Sequence, residues 1–144
     1  MPAGPSVAPQ PLLRWWVSGD PEAPPSALLV PPAEPGALSD WRRWAGLAER
    51  LRPSSDGSGL AGHGAVWIAD WLGFHCPRGP LGTAGASAAA DRSPLSGALA
   101  AAQVAALAEG MDRAQSSGGL RLVCGGRNGG ILALRALRAL RLHR

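Results

Sequence analysis

Between Leu38 and Pro53 the apolar residues Trp41, Trp44, Leu47, Ala48 and Leu51 recur at helical spacing. Arg42, Arg43, Glu49, Arg50 and Arg52 occupy the positions around them, so one face is apolar and the rest is solvated. Ser39 suits the N-cap, Asp40 suits the positive first turn, and Pro53 stops the helix. Further on, AVWIADWLGF at 65–74 carries Val66, Trp67 and Ile68 as a buried strand would, although Trp67 and Trp71 also stand at helical spacing. From Pro94, a good first helical residue, PLSGALAAAQVAALAEGMDRAQ reads as a long helix with Leu95, Leu99, Ala106, Leu107 and Met111 inward. SSGG then ends it.

The two ends of the chain carry weaker patterns. Residues 1–36 hold ten of the 14 prolines, and PPSALLVPP frames a short apolar segment, Ala27–Val30, expected as an edge strand or an extended strap. Trp15 and Trp16 are placed to pin this strap to the body. SSDGSGLAGHG at 54–64 is a loop. At the other end, Leu120–Cys124 reads as a strand, Asn128-Gly129 as a hairpin turn, and Ile131–Leu134 as a second strand. LRALRALRLHR repeats Leu-Arg every three positions and is expected to form a basic helical end. Strand, helix and turn in this order indicate an α/β fold of layered sheet and helices. The expected division is a proline-rich segment 1–36, an α/β domain 37–137 and a basic tail 138–144.

Composition narrows the chemistry. With 144 residues, 46% hydrophobic and 17% charged, the chain has the make-up of one globular domain. Alanine, glycine, proline and arginine form just over half of it, a bias of GC-rich coding that makes glycine and alanine runs common by chance. All 14 basic residues are arginine. Without lysine there is no Schiff-base amine and no GxxxxGK[ST] phosphate loop. The formal charge of +4 and the high sequence pI owe much to arginine's pKa, so nucleic-acid binding does not follow from them.

Candidate chemistry is sparse. GTAGAS at 82–87 lacks the GxGxxG spacing, and close packing at a helix start is a simpler role for it than anion binding. His63, His75 and Cys76 match no zinc spacing, and neighbours on a strand point to opposite faces, so His75 does not activate Cys76 there. Cys76 and Cys124 stand far apart, outside any CxxC pairing. No catalytic, cofactor-binding or metal-ligating residue is assigned. Neither a signal-peptide run nor a bilayer-length apolar stretch is visible, and a reduced, cytoplasmic protein is expected. Six arginines lie between Leu120 and Arg144 with no acid after Asp112. They form either a solvated terminal face or a contact for nucleic acid or anionic lipid.

The stretch Leu81-Gly82-Thr83-Ala84-Gly85-Ala86 resembles the LGAAGA portion of the β-ketoacyl synthases, within the thiolase-like superfamily. In those enzymes it opens an alanine-rich helix. Gly125-Gly126-Arg127-Asn128-Gly129-Gly130-Ile131-Leu132-Ala133-Leu134 is similar to their glycine-rich closing hairpin. The resemblance spans residues 79–137 and implies a thiolase-like C-terminal section. It sets Gly79 where the family carries its condensing histidine, and no family active-site cysteine motif is present. It therefore implies a non-catalytic, ketosynthase-like accessory protein of fatty acid or polyketide synthesis. Its partners would be a full-length ketosynthase, an acyl carrier protein or a second copy in a dimer. The competing expectation is a small basic interaction protein, or a GC-rich reading frame without enzymatic activity.

Overall fold

The computed structural model describes residues 12–52, 64–72, 97–116 and 120–142. In chain order these form β1 (Leu13–Ser18), β2 (Pro25–Val30), a 3-10 turn (Ala37–Ser39), α1 (Arg42–Leu51), β3 (Ala65–Trp71), α2 (Gly97–Ser116), β4 (Leu122–Gly125) and α3 (Asn128–Leu142). The fold is α/β, as expected. One sheet of order β1-β3-β2-β4 runs through its middle. Strands β3, β2 and β4 are parallel, and β1 is antiparallel on β3 at one edge.

The topology dictates the layers. From β2 the chain crosses through α1 to β3 on one side, then returns through α2 to β4 on the other side of β2. Right-handed crossovers in opposite directions place their helices on opposite faces. The packing agrees. Ala27, Leu29, Val66 and Ile68 meet Ala48 and Leu51 of α1 on one face. Leu28, Val30, Ala69 and Trp71 meet Leu107, Met111 and Ala114 of α2 and Leu132, Ala133 and Ala136 of α3 on the other. Successive residues of β2 and β3 thus serve two cores in turn, which is why both strands read as unbroken apolar runs.

Several expectations need correction. Ala27–Val30 is not at an edge: β2 is fully buried and paired on both sides. Pro25 is tolerated because it is the strand's first residue, and Pro31 and Pro32 fall just past its end. β1 and β2 supply half of the sheet, so the division at residue 36 runs through one packed unit. Trp15 and Trp16 do pin this region, each to a different layer. Trp16 stacks on Trp41, the N-cap of α1, with centroids 4.1 Å apart, while Trp15 lies against Trp67 and over Gly110 of α2. A Cβ on Gly110 would stand 2.6 Å from the Trp15 indole.

Helix α1 begins later than its sequence suggests. Ser39 belongs to the 3-10 turn and donates its hydroxyl to Gly36 O, and Asp40 accepts the Arg42 N–H at 3.0 Å ahead of the N-cap Trp41, which makes no side-chain cap hydrogen bond. The inward stripe also drifts, taking in Ala45 and leaving Leu47 39% exposed. β3 is the strand expected from AVWIADW, and the helical alternative is discarded. In α2 the buried side is Ala100, Gln103, Leu107, Gly110, Met111 and Ala114, with Leu99 and Ala106 on its flank. Pro94 and Leu95 lie outside the described residues.

The largest correction concerns the C-terminal section. Asn128-Gly129 is not a hairpin turn, and Ile131–Leu134 is not a strand: both belong to α3. A tight hairpin leaving β4 would place an antiparallel strand at its free edge, as β1 stands beside β3. Instead the chain turns back over the sheet as a helix and packs on α2. The same helix runs on through Leu142, so Arg138 begins no separate tail.

Candidate functional site

Open sheets of this winding bind ligands where connections from neighbouring strands leave toward opposite faces, at the strands' carboxyl ends. Here that point lies between Val30 of β2 and Gly125 of β4. The chain fills it with its own groups. The buried Asn128 side chain accepts the Ala33 N–H at 2.9 Å and donates to the Ala33 carbonyl at 3.1 Å, as a strand neighbour would. Gly126 donates its N–H to Val30 O at 3.1 Å, continuing the ladder beyond β4. Trp71 donates its indole N–H to Pro31 O at 2.9 Å from the far side.

Glycine at this junction is a matter of contact. A Cβ on Gly125 would lie 2.5 Å from Gly130 Cα, and one on Gly126 would lie 2.9 Å from the Trp44 ring. A Cβ on Gly129 would press on the carbonyl oxygens of Val30 and Pro31. The Gly129 and Gly130 N–H groups are turned back to Gly126 O and Arg127 O. The loop is therefore a packed joint whose leading amides serve the turn, which is a different object from a phosphate cradle.

Charged groups sit at the rim of the joint. Arg127 Nε lies 3.0 Å from Glu34 Oε1, with the arginine largely exposed. Arg127 takes φ 51°, the left-handed region, where a side chain costs about 1–2 kcal/mol. An exposed ion pair returns about 0–1 kcal/mol, and glycine's extra freedom when unfolded costs about 0.5–1 kcal/mol. Arg127→Gly is accordingly expected to fall between a gain of about 1.5 and a loss of about 1 kcal/mol in unfolding stability in a urea titration. A loss well beyond that would show the Glu34 pair to be a principal fastening.

Beneath the α1 face, the buried Asp70 accepts the Trp16 indole N–H at 2.9 Å. Cys124 is a free, partly buried thiol on the same face. His63, His75, Cys76, Gly79 and the whole GTAGAS segment lie outside the described residues. No cluster of three potential metal ligands occurs among the described residues. Sequence reading missed Asp70, the Glu34–Arg127 pair and the role of Asn128. A lone acid within AVWIADW was a usable signal for the first. The other two depend on partners 93 and 95 residues away, for which the sequence carries no local mark.

A second surface lies on the outer side of α3. Leu132, Ala133 and Ala136 face the core, while Ile131, Leu134 and Leu142 are exposed at 42%, 68% and 76%. At 3.6 residues per turn, Arg141, Leu134, Arg138, Ile131 and Leu142 fall within about a third of the helix circumference. Arg138 and Arg141 are exposed as well. Alternating leucine and arginine at three-residue steps produces this: the small Ala133 and Ala136 and the buried Leu132 turn inward, and the large side chains between them turn outward. The basic helical end expected from the repeat is therefore a continuous basic and apolar face.

Fold and surface together define the class: a doubly wound α/β protein with a self-filled carboxyl edge and one basic, leucine-bearing outer helix. No family model, curated protein or solved structure matches the chain. Among the described residues no helix is long and apolar enough to cross a membrane. Residues 81–86 lie outside the described residues, and residues 125–134 hold the end of β4, a turn and the start of α3.

Proposed function

We propose that this chain is a small basic interaction module that docks an anionic partner through the outer face of α3, without a catalytic centre at its carboxyl edge. The observation that carries the reading is the coincidence of exposed Arg138 and Arg141 with exposed Leu134 and Leu142 on one helix side. Large apolar side chains grouped in the open mark interaction surfaces far more often than isolated ones do. Here they are interleaved with fixed positive charge on a helix that carries no acid of its own.

Heparin serves as a generic anionic probe. The protein is expected to bind it at low salt and elute as salt rises, because release of counterions drives the contact. Arg138→Gln with Arg141→Gln should lower the salt slope by about two. The same pair of changes at Arg43 and Arg50, exposed on α1, should leave it nearly unchanged. Equal effects from both pairs would mean that overall charge, and not α3, governs retention, and the reading would fall.

A further inference from the structure

We infer that the anionic partner of α3 is the surface of a lipid bilayer carrying acidic headgroups. This rests on the docking reading above and gives it an occupant.

Set beside a nucleic acid and a second copy of this chain, a bilayer surface is the better match for the leucines. A nucleic-acid backbone would satisfy Arg138 and Arg141 through its phosphates and leave Leu134 and Leu142 in water. A second copy of this chain would cover the leucines but bring Arg138 and Arg141 against a second set of like charges. The boundary between headgroups and acyl chains accepts both residue types at once. Guanidinium groups bond phosphate oxygens in a planar fork, and leucines one turn away enter the apolar layer.

The shape of the helix suits this position. Its inner side is anchored on the core by Leu132, Ala133 and Ala136, and Leu134, Arg138, Arg141 and Leu142 are exposed on the outer side. Ile131, Leu134 and Leu142 span most of its length, and Arg138 and Arg141 lie between Leu134 and Leu142. Such a helix lies along the surface and does not cross it. None of the segments 1–11, 53–63 and 73–96 has a run of acids to serve as an internal substitute: together they hold only Asp56 and Asp91.

The test is co-sedimentation of the full chain with vesicles of phosphatidylcholine alone and of phosphatidylcholine mixed with phosphatidylglycerol. Binding is expected to the mixed vesicles only, and to weaken as salt rises. Leu134→Ser with Leu142→Ser is expected to reduce vesicle binding about tenfold or more while leaving heparin retention unchanged. Arg138→Gln with Arg141→Gln should reduce both. Both leucines are exposed, so far-UV circular dichroism and the melting midpoint of that variant should match the parent chain.

Retention on heparin without sedimentation on mixed vesicles would overturn the lipid inference and leave the docking reading standing. So would vesicle binding that ignores the two leucines. Binding to duplex DNA that also ignores them would assign the face to nucleic acid. Failure to bind heparin and vesicles alike would remove both proposals.

Discussion

Replacing Asn128 by alanine is expected to destabilise the protein by about 3 kcal/mol, read as a lowered urea midpoint at unchanged slope. The side chain is buried and closes two hydrogen bonds with the backbone of Ala33, at 2.9 and 3.1 Å. Its loss leaves an amide and a carbonyl in the interior without partners, at about 1–3 kcal/mol each. Asn128→Asp should not rescue the fold, because it retains the acceptor for the Ala33 N–H but sets a carboxylate oxygen against the Ala33 carbonyl. An unchanged midpoint in the alanine variant would show that the joint between β2 and α3 does not depend on this residue.

Gly129→Ala and Gly46→Ala should move stability in opposite directions, although both glycines are helical. At Gly129 the added methyl would lie 2.5 Å from Val30 O and closer still to Pro31 O, and backbone atoms of a buried strand end cannot swing aside. Overpacking of this kind costs about 1–3 kcal/mol. At Gly46 in α1 nothing lies within 4 Å of the added atom. There alanine's helix preference should contribute about 0.5–1 kcal/mol in favour of folding. Thermal or chemical unfolding of the two variants side by side reads the contrast. Loss at both positions would mean that the tight contact at Gly129 is not what matters.

Both changes probe a joint that the sequence marks only obscurely. Asn128-Gly129 is the usual hairpin dipeptide, and Ile131–Leu134 is as apolar as any strand. Nothing local separates that reading from a helix start. The information that decides it lies far away in the chain, where Asn128 closes on the Ala33 backbone and Gly129 lies against the Val30 and Pro31 carbonyls. The proline-framed segment behaves likewise. Prolines at both ends suggest an edge, yet they flank a strand that is fully buried and paired on both sides, because a missing N–H matters inside a ladder and not at its ends.

Other features are legible without the fold. The period of Trp41, Trp44, Ala48 and Leu51 places α1 and its inner side, and the apolar stretch from Ala65 to Trp71 places β3, because burial against a neighbour leaves a repeat in the chain itself. The Leu-Arg repeat likewise announces a helix with a basic side. Tertiary structure alone decided that β2 is central, that Asn128 fastens the carboxyl edge, and that Leu134 and Leu142 stay outside beside Arg138 and Arg141. Periodicity records that an element has an inner and an outer side. Which neighbour occupies the inner side, and whether an apolar residue between arginines is covered, depends on contacts between residues far apart in the chain, and those exist only once the sheet has formed.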